Sequence, residues 1–207
     1  MKQYPSIQKQ VQNLPIYAFN KLDGSNIRAE WSRKRMGFYK IGSKTQLIDS
    51  THLTLGKAPG LLIEKYEKTL SDIFIKKRFE SAISFFEFWG EKSFAGQHDL
   101  NDPTLKVTLI DINPFKKGIL PPAEFLELVD GKADYASLLY RGNANSDFVA
   151  SVREGRLPGM SLEGVVCKAK SPDRTPMPLM FKIKQLAWLE QLKIFCKGDE
   201  ELFQKLA

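Results

Sequence analysis

Lys21 stands in FNKLDGSNIR, between an apolar run and an Asp-Gly pair. An amine attacks only when neutral, and a free lysine with pKa about 10.4 is almost wholly protonated at neutral pH, so its surroundings must help it. Burial or nearby cations lower a lysine pKa. Lys182 and Lys184 are candidates for such cations, because they alternate in FKIK and residues two apart on a strand point to one face. If that face meets Lys21, three ammonium groups form a cluster that is costly unless an anion sits inside it; a triphosphate matches several point charges at once. Carboxylates would then be needed to hold a divalent metal. Glu163 opens the segment EGVVCK, and Glu87 lies within SFFEFWG, where burying an unpaired carboxylate is expensive.

Each feature taken alone has a plainer explanation. Asp23-Gly24 is a common turn, alternating lysines usually line a solvated strand face, and Glu87 could pair with any nearby lysine or arginine. Gly37 and Gly42 followed by Ser43-Lys44-Thr45 come close to a P-loop, but an extra serine separates glycine from lysine and the flanking pattern is strand-like. That motif is set aside. The four other features gain weight from their order and context.

The elements that must position these residues can be read from periodicity. From Ile16 to Ile48 the pattern is mostly period two, with Ile27, Ala29 and Trp31 on one face and Asn26, Arg28 and Glu30 on the other, which predicts paired strands. Asp23-Gly24 and the segment Ser32 to Gly37 supply turns, the first a hairpin signal beside Lys21. Gly60 to Phe79 has the spacing of an amphipathic helix. Ala82 to Trp89 and Val107 to Ile112 read as buried strands, and Pro121-Pro122 introduces a short helix through Val129 that Gly131 can end. A further helix is expected over Ser146 to Arg153. Glu163 to Lys168 and Leu179 to Lys184 read as strands of a long-looped hairpin around the proline-containing loop 169–178. Leu186, Leu189, Leu192 and Phe195 fall at helical spacing in a tail that Gly198 divides into two helices.

A chain of 207 residues, 43% hydrophobic, can build one substantial core, and a single domain is expected. No window approaches the ~20 apolar residues that cross a bilayer, and MKQYPSIQKQ lacks the apolar core of a secretory signal, so a cytoplasmic location and no membrane partner are expected. Cys167, Cys196, His52 and His98 have no metal-type spacing, which argues against structural zinc. The formal charge of +7 favours a polyanionic partner, and the basic residues are spread along the chain, so folding must assemble any binding surface.

Taken together, Lys21-Leu22-Asp23-Gly24, Glu87 in FEFWG, Glu163-Gly164-Val165-Val166-Cys167-Lys168 and Phe181-Lys182-Ile183-Lys184 resemble motifs I, III, IV and V of the covalent nucleotidyltransferases, the superfamily of ATP-dependent polynucleotide ligases and mRNA capping enzymes. The motifs occur in family order over positions 21 to 184. Asn26, five residues after the lysine, where DNA ligases and capping enzymes typically carry arginine, is similar to the RNA ligase branch. Lys44 in KIGSKTQLI loosely resembles the basic residue of motif Ia, and Asp111 in VTLIDI that of motif IIIa. Ile110 stands where family members often stack an aromatic ring on adenine.

The resemblance implies an α+β nucleotidyltransferase fold, ATP-grasp-like, of antiparallel sheets flanked by helices with a nucleotide pocket between them. It implies an ATP-dependent RNA ligase: lysine takes AMP from ATP, AMP passes to a 5′-phosphate end, and a 3′-hydroxyl displaces it. Lys21 would be the nucleophile and Asp23-Gly24 its supporting turn. Asn20 would touch the base through its backbone, Glu87 the ribose, Asn26 the sugar or the activated end, Glu163 a divalent Mg²⁺ or Mn²⁺, and Lys168, Lys182 and Lys184 phosphates. Positions 21, 87, 163, 182 and 184 should then gather around one pocket. After Lys184 only a helical tail remains, with no oligonucleotide-binding barrel, so the chain is expected to be a lone catalytic domain acting on RNA ends or one that works with a partner protein supplying further RNA binding. The alternatives are an RNA-end binding module that has lost sealing, and a related nucleotidyltransferase acting on DNA or with GTP.

Overall fold

The computed structural model describes residues 2–171 and 177–207. The chain is α+β, with two four-stranded antiparallel sheets and five helices among the described residues. It divides into two compact units. One is built from Gly24–Tyr135 together with residues 2–5, Ser171 and residues 177–178; the other comprises Ser6–Asp23, Ala136–Lys170 and Leu179–Ala207.

The first unit holds β2 (Ser25–Ser32), β3 (Gly37–Gly42), β4 (Ser81–Trp89) and β5 (Lys106–Pro114), ordered β3-β2-β4-β5, with helices α1 (Ala58–Lys76) and α2 (Pro122–Val129). Ile27, Ala29 and Trp31 are fully buried, as the period-two pattern predicts. They face α1, whose Leu62, Tyr66, Leu70 and Phe74 repeat every four residues along its buried stripe. Trp31 donates its indole N–H to Ser71 at 2.9 Å and meets Phe74 edge-on, so the ring is both packed and satisfied. The helix expected over Gly60 to Phe79 stops at Lys76, because Arg78 turns left-handed (φ 57°) and Phe79 N–H reaches back to Phe74 O at 3.0 Å.

The second unit holds β1 (Pro15–Asn20), β6 (Leu138–Asn143), β7 (Gly164–Ala169) and β8 (Leu179–Lys184), ordered β6-β1-β7-β8, with helices α3 (Ser146–Arg153), α4 (Leu186–Cys196) and α5 (Glu200–Leu206). The predicted hairpin of β7 and β8 is present; residues 172–176 of the loop expected between them lie outside the described residues. Ile16, Ala18, Val165, Cys167, Phe181 and Ile183 form the core of this unit with Phe148 and Val152 of α3.

Two expectations change, and one strand was not anticipated. β1 and β2 do not pair: β1 joins β6 and β7 whereas β2 joins β3 and β4, so Asp23-Gly24 passes the chain from one sheet to the other instead of closing a hairpin. Gly24 is required there by room, since a Cβ would lie 2.2 Å from Phe88 O. The buried stripe of α4 is Trp188, Leu192 and Cys196, spaced by four, while Leu186 is exposed. Finally, β6 carries no strong strand pattern in LLYRGN; it forms because β1 offers it an edge.

Candidate active site

Sheet pleat brings the lysines together. Gly164 faces Lys184 and Val166 faces Lys182 across the β7–β8 ladder, and Phe19 faces Val166 across β1–β7. Lys168, Lys182 and Lys184 therefore share one face, while Val165, Cys167, Phe181 and Ile183 between them point into the core. Lys168 is 2% exposed, its ammonium 4.7 Å from the centre of the Phe19 ring.

Lys21 follows directly after β1, and its N–H donates to Gly164 O at 2.9 Å, so its backbone is tied to the residue beside Glu163. Gly164 has φ +127°, and a Cβ would lie 2.2 Å from Ile183 O; only glycine lets the chain enter β7 this way and leave Glu163 over the lysines. The carboxylate is almost wholly buried. Its Oε1 lies 2.8 Å from Lys21 Nζ and 3.2 Å from Lys184 Nζ, while Oε2 is buried and makes no hydrogen bond among the described residues. Lys182 stands close enough to Lys21 and Glu163 to feel both charges.

The electrostatics follow from this crowding. Burial first, then the charges of Lys21 and Lys9, lower the Lys182 pKa to about 8. Burial also lowers Lys184 to about 8, with Glu163 opposing and Lys21 and Lys182 adding to the shift. One carboxylate is thus shared by a group of ammoniums, which leaves net positive charge where the sheet is shielded from water.

Residues that no motif singled out complete the arrangement. Trp188 lies 3.6 Å under the Lys184 ammonium, measured to the ring centre, and donates its indole N–H to Asp23 Oδ2 at 2.7 Å, so one ring fixes both the lysine and the turn after Lys21. Ser161 donates its N–H to Asn20 Oδ1 at 2.8 Å and its hydroxyl to Lys21 O at 2.6 Å. The Asn20 N–H itself donates to Ser137 O at 2.8 Å. Lys9 adds the charge that Lys182 feels. Their only signal in the sequence is that an aromatic, a hydroxyl and a cation are available; the Trp188–Asp23 contact alone joins segments 165 positions apart.

The remaining expected residues belong to the first unit. Asn26 and Glu87 are a cross-strand pair; Asn26 Nδ2 donates to Phe86 O at 3.4 Å, its Oδ1 is buried without a hydrogen bond among the described residues, and Glu87 is half-buried. Ile110 is the extra residue of a bulge, because Phe85 faces Asp111 while Phe86 faces Leu109; bulges re-aim side chains and gather beside functional sites. Asp111 is fully buried and accepts a hydrogen bond from Tyr4, whose ring packs on Phe85. Burial, with the Asp111 and Glu87 carboxylates, holds the Tyr4 pKa well above its usual value. Lys44 is exposed in a tight turn that Ser43 N–H closes on Gln46 O at 2.8 Å. No helix follows that turn directly, as a P-loop requires; α1 begins only at Ala58.

Among solved structures, an archaeal ATP-dependent RNA ligase superposes with a TM-score of 0.67 at 15% identity, covering 95% of this chain. A Naegleria gruberi RNA ligase with pyrophosphate gives 0.65 at 15% identity over 94% of this chain, and other structures of that enzyme hold ATP or AMP with manganese. A putative ATP-dependent DNA ligase from Aquifex aeolicus gives 0.66 at 18% identity over the whole chain. The fold is that of the ligase nucleotidyltransferase domains. The nucleotidyltransferase fold thus accounts for both sheets here, and this chain spans 52%, 58% and 57% of those three proteins respectively. No family model and no curated protein matches the sequence.

Among the described residues no three His, Cys, Asp or Glu side chains come together as a metal cage, and no helix is long and apolar enough to cross a membrane. The buried Oε2 of Glu163 nevertheless suits a divalent cation: it is a hard oxygen that makes no hydrogen bond among the described residues, while Oε1 is held by two lysines.

Proposed function

We propose that the protein is an ATP-dependent RNA ligase whose nucleotidyltransferase domain works through a covalent lysyl-AMP intermediate. The observation that carries this reading is the cluster of Lys21, Glu163 and Lys184, with Lys182 beside it, gathered where β1 ends, β7 begins and β8 passes. Structural neighbours that are polynucleotide ligases support it.

Lys21 Nζ attacks the α-phosphorus of ATP, a nitrogen–phosphorus bond forms, and the bond to the β-phosphate oxygen breaks with pyrophosphate as leaving group. Glu163 Oε1, 2.8 Å from Lys21 Nζ, orients the nitrogen and takes the proton that the ammonium must lose before its lone pair can attack. Lys182 and Lys184 neutralise charge on the departing phosphates, and Lys168 extends the same basic face. The ion pairs and the Gly164 carbonyl hold the lysine in reach, which converts a slow encounter into a positioned one. Glu163 with nucleotide oxygens would hold Mg²⁺ or Mn²⁺, which when bound shares the neutralisation of phosphate charge. AMP then passes to an RNA 5′-phosphate, and a 3′-hydroxyl displaces it to seal the strand. By family resemblance Asn20 and Ile110 serve the base, Glu87 the ribose, Asn26 the sugar or activated end, and Lys44 the nucleotide as the basic residue of motif Ia. Asp23-Gly24 supports the nucleophile.

Incubation with α-labelled ATP and a divalent metal, followed by denaturation, tests the reading. Label should survive on the wild-type chain and be lost in Lys21→Ala, with circular dichroism unchanged. Absence of label across metals would remove the enzyme and leave an RNA-end binding module; preference for GTP would move the chemistry towards capping.

A further inference from the structure

The strands of the second unit differ in charge from those of the first. β1, β6, β7 and β8 contain no Asp or Glu, whereas β2 carries Glu30, β4 Glu87 and β5 Asp111. The four cations of the second unit's strands, Arg141, Lys168, Lys182 and Lys184, fall on one face of the sheet. Tyr17 faces Arg141 across β1–β6 and Lys168 across β1–β7; Lys168 in turn faces Met180, from which Lys182 and Lys184 follow at intervals of two. The opposite face is the apolar core. Glu163 stands at the Lys184 end of the basic face, shared by Lys21 and Lys184.

Two aromatic rings interleave with these cations. β1 places Tyr17 and Phe19 on the same face, with the Arg141 guanidinium 4.9 Å from the centre of the Tyr17 ring and the Lys168 ammonium over Phe19. Phe19 and Lys168 are buried, Tyr17 is half-buried and Arg141 is exposed, so the strip opens to solvent towards β6, the edge strand. From β8 to β6 is three strand spacings, roughly 14 Å. Contact with Tyr17 explains how Arg141 is held, but not why one sheet face gathers four like charges on strands without an acid. That arrangement is unfavourable until an anion lies along it.

We propose that Tyr17 and Arg141 form a subsite for an unpaired nucleotide of the RNA strand, at the place where the lysine face opens at β6. The proposal rests on the reading of that face as the phosphate-binding one and extends it to the polynucleotide. A guanidinium laid over a phenol ring offers two things at once. Its flat surface and the ring beneath provide a stacking platform for a base, while the N–H groups in its plane form a fork that fits phosphate oxygens. Alternating cations and aromatic rings are the pattern that single strands require, because the backbone follows the charges and each base has a face to stack. A base within a duplex has that face covered by its neighbours, so the subsite favours a single-stranded end.

Fluorescence anisotropy of the full chain tests this, with a short 5′-phosphorylated uridine oligomer as probe, alone and annealed to an adenosine complement. Tyr17→Leu keeps apolar bulk and removes the π face. It should weaken single-strand binding about tenfold and leave duplex binding unchanged, whereas Tyr17→Phe should bind as wild type does. Equal loss on both probes, or loss on neither, would overturn the stacking site. Arg141→Gln, at an exposed position, should lower the log–log salt slope for the single strand by about 0.7, one phosphate contact; an unchanged slope would remove Arg141 from the site. Failure of the wild-type chain to bind the single strand would sink the subsite as a whole. Labelling by α-labelled ATP should persist in Tyr17→Leu and Arg141→Gln, which separates this from the ligase reading. A chain that takes AMP while neither variant alters RNA binding keeps the enzyme and loses the subsite; one that takes no AMP but shows both effects keeps the subsite and loses the enzyme.

Discussion

Glu163 holds two lysines through one oxygen while the other is buried and makes no hydrogen bond among the described residues, and that division organises the candidate site at the scale of single residues. Lys182 and Lys184, both lowered chiefly by burial to about 8 from an ordinary 10.5, give this face a pH-dependent charge. Below pH 8 both are ammonium in the folded and the unfolded chain, and the cost of burying them is present in full. Between 8 and 10.5 the folded chain has released protons that the unfolded chain still holds, so their contribution to stability rises across that window. Anion affinity runs the other way. Calorimetry should show ATP or pyrophosphate binding weakening as pH passes 8, with a flatter profile in Lys182→Ala; affinity constant to pH 9 would contradict the lowered values. Alternation in FKIK made the lysine pair legible in the sequence, because strand period two decides facing without tertiary information. Trp188, Ser161 and Lys9 were not, since their contacts are made only when distant segments meet: Ser161 and Asn20 are 141 positions apart.

At the scale of elements, glycines mark where chain path and function coincide. Gly164→Ala forces a Cβ against Ile183 O at a φ of +127°, beside the carbonyl that anchors Lys21, whereas Gly24→Ala meets Phe88 O in the other unit without a left-handed backbone. Urea unfolding should show both variants destabilised, Gly164→Ala by about 2–4 kcal/mol and Gly24→Ala by about 1–3 kcal/mol. Equal stability to wild type in Gly164→Ala would mean that the entry to β7 can relax. The expected bounds of β8 and of α3, the latter on a weaker pattern, match those observed. The Asp23-Gly24 hairpin was not, because the same dipeptide that closes a hairpin also suits a crossover between sheets, and partner choice belongs to β6, β7 and β4 rather than to the turn. The α4 stripe was misplaced for a related reason: three leucines and Phe195 compete with Trp188 and Cys196 for three buried positions, and only Leu192 of the expected four takes one.

At the scale of the whole molecule, two antiparallel sheets on a chain of formal charge +7 fit a polyanionic substrate. Binding of a 5′-phosphorylated RNA, followed by fluorescence anisotropy, should weaken linearly in log–log terms as salt rises, with a slope of about 0.7 per single-strand phosphate contacted; salt-insensitive binding would argue against phosphate recognition by the basic face. Fold class was legible because motif order, not composition, carried it: four short segments in family order constrain a topology that 15% to 18% identity to known ligases no longer displays. The most direct measurement is peptide mapping by mass spectrometry after incubation with ATP and magnesium. AMP attached to Lys21, and absent from Lys182 and Lys184, is the expected result; AMP on another residue, or on none, would contradict the role given to this lysine.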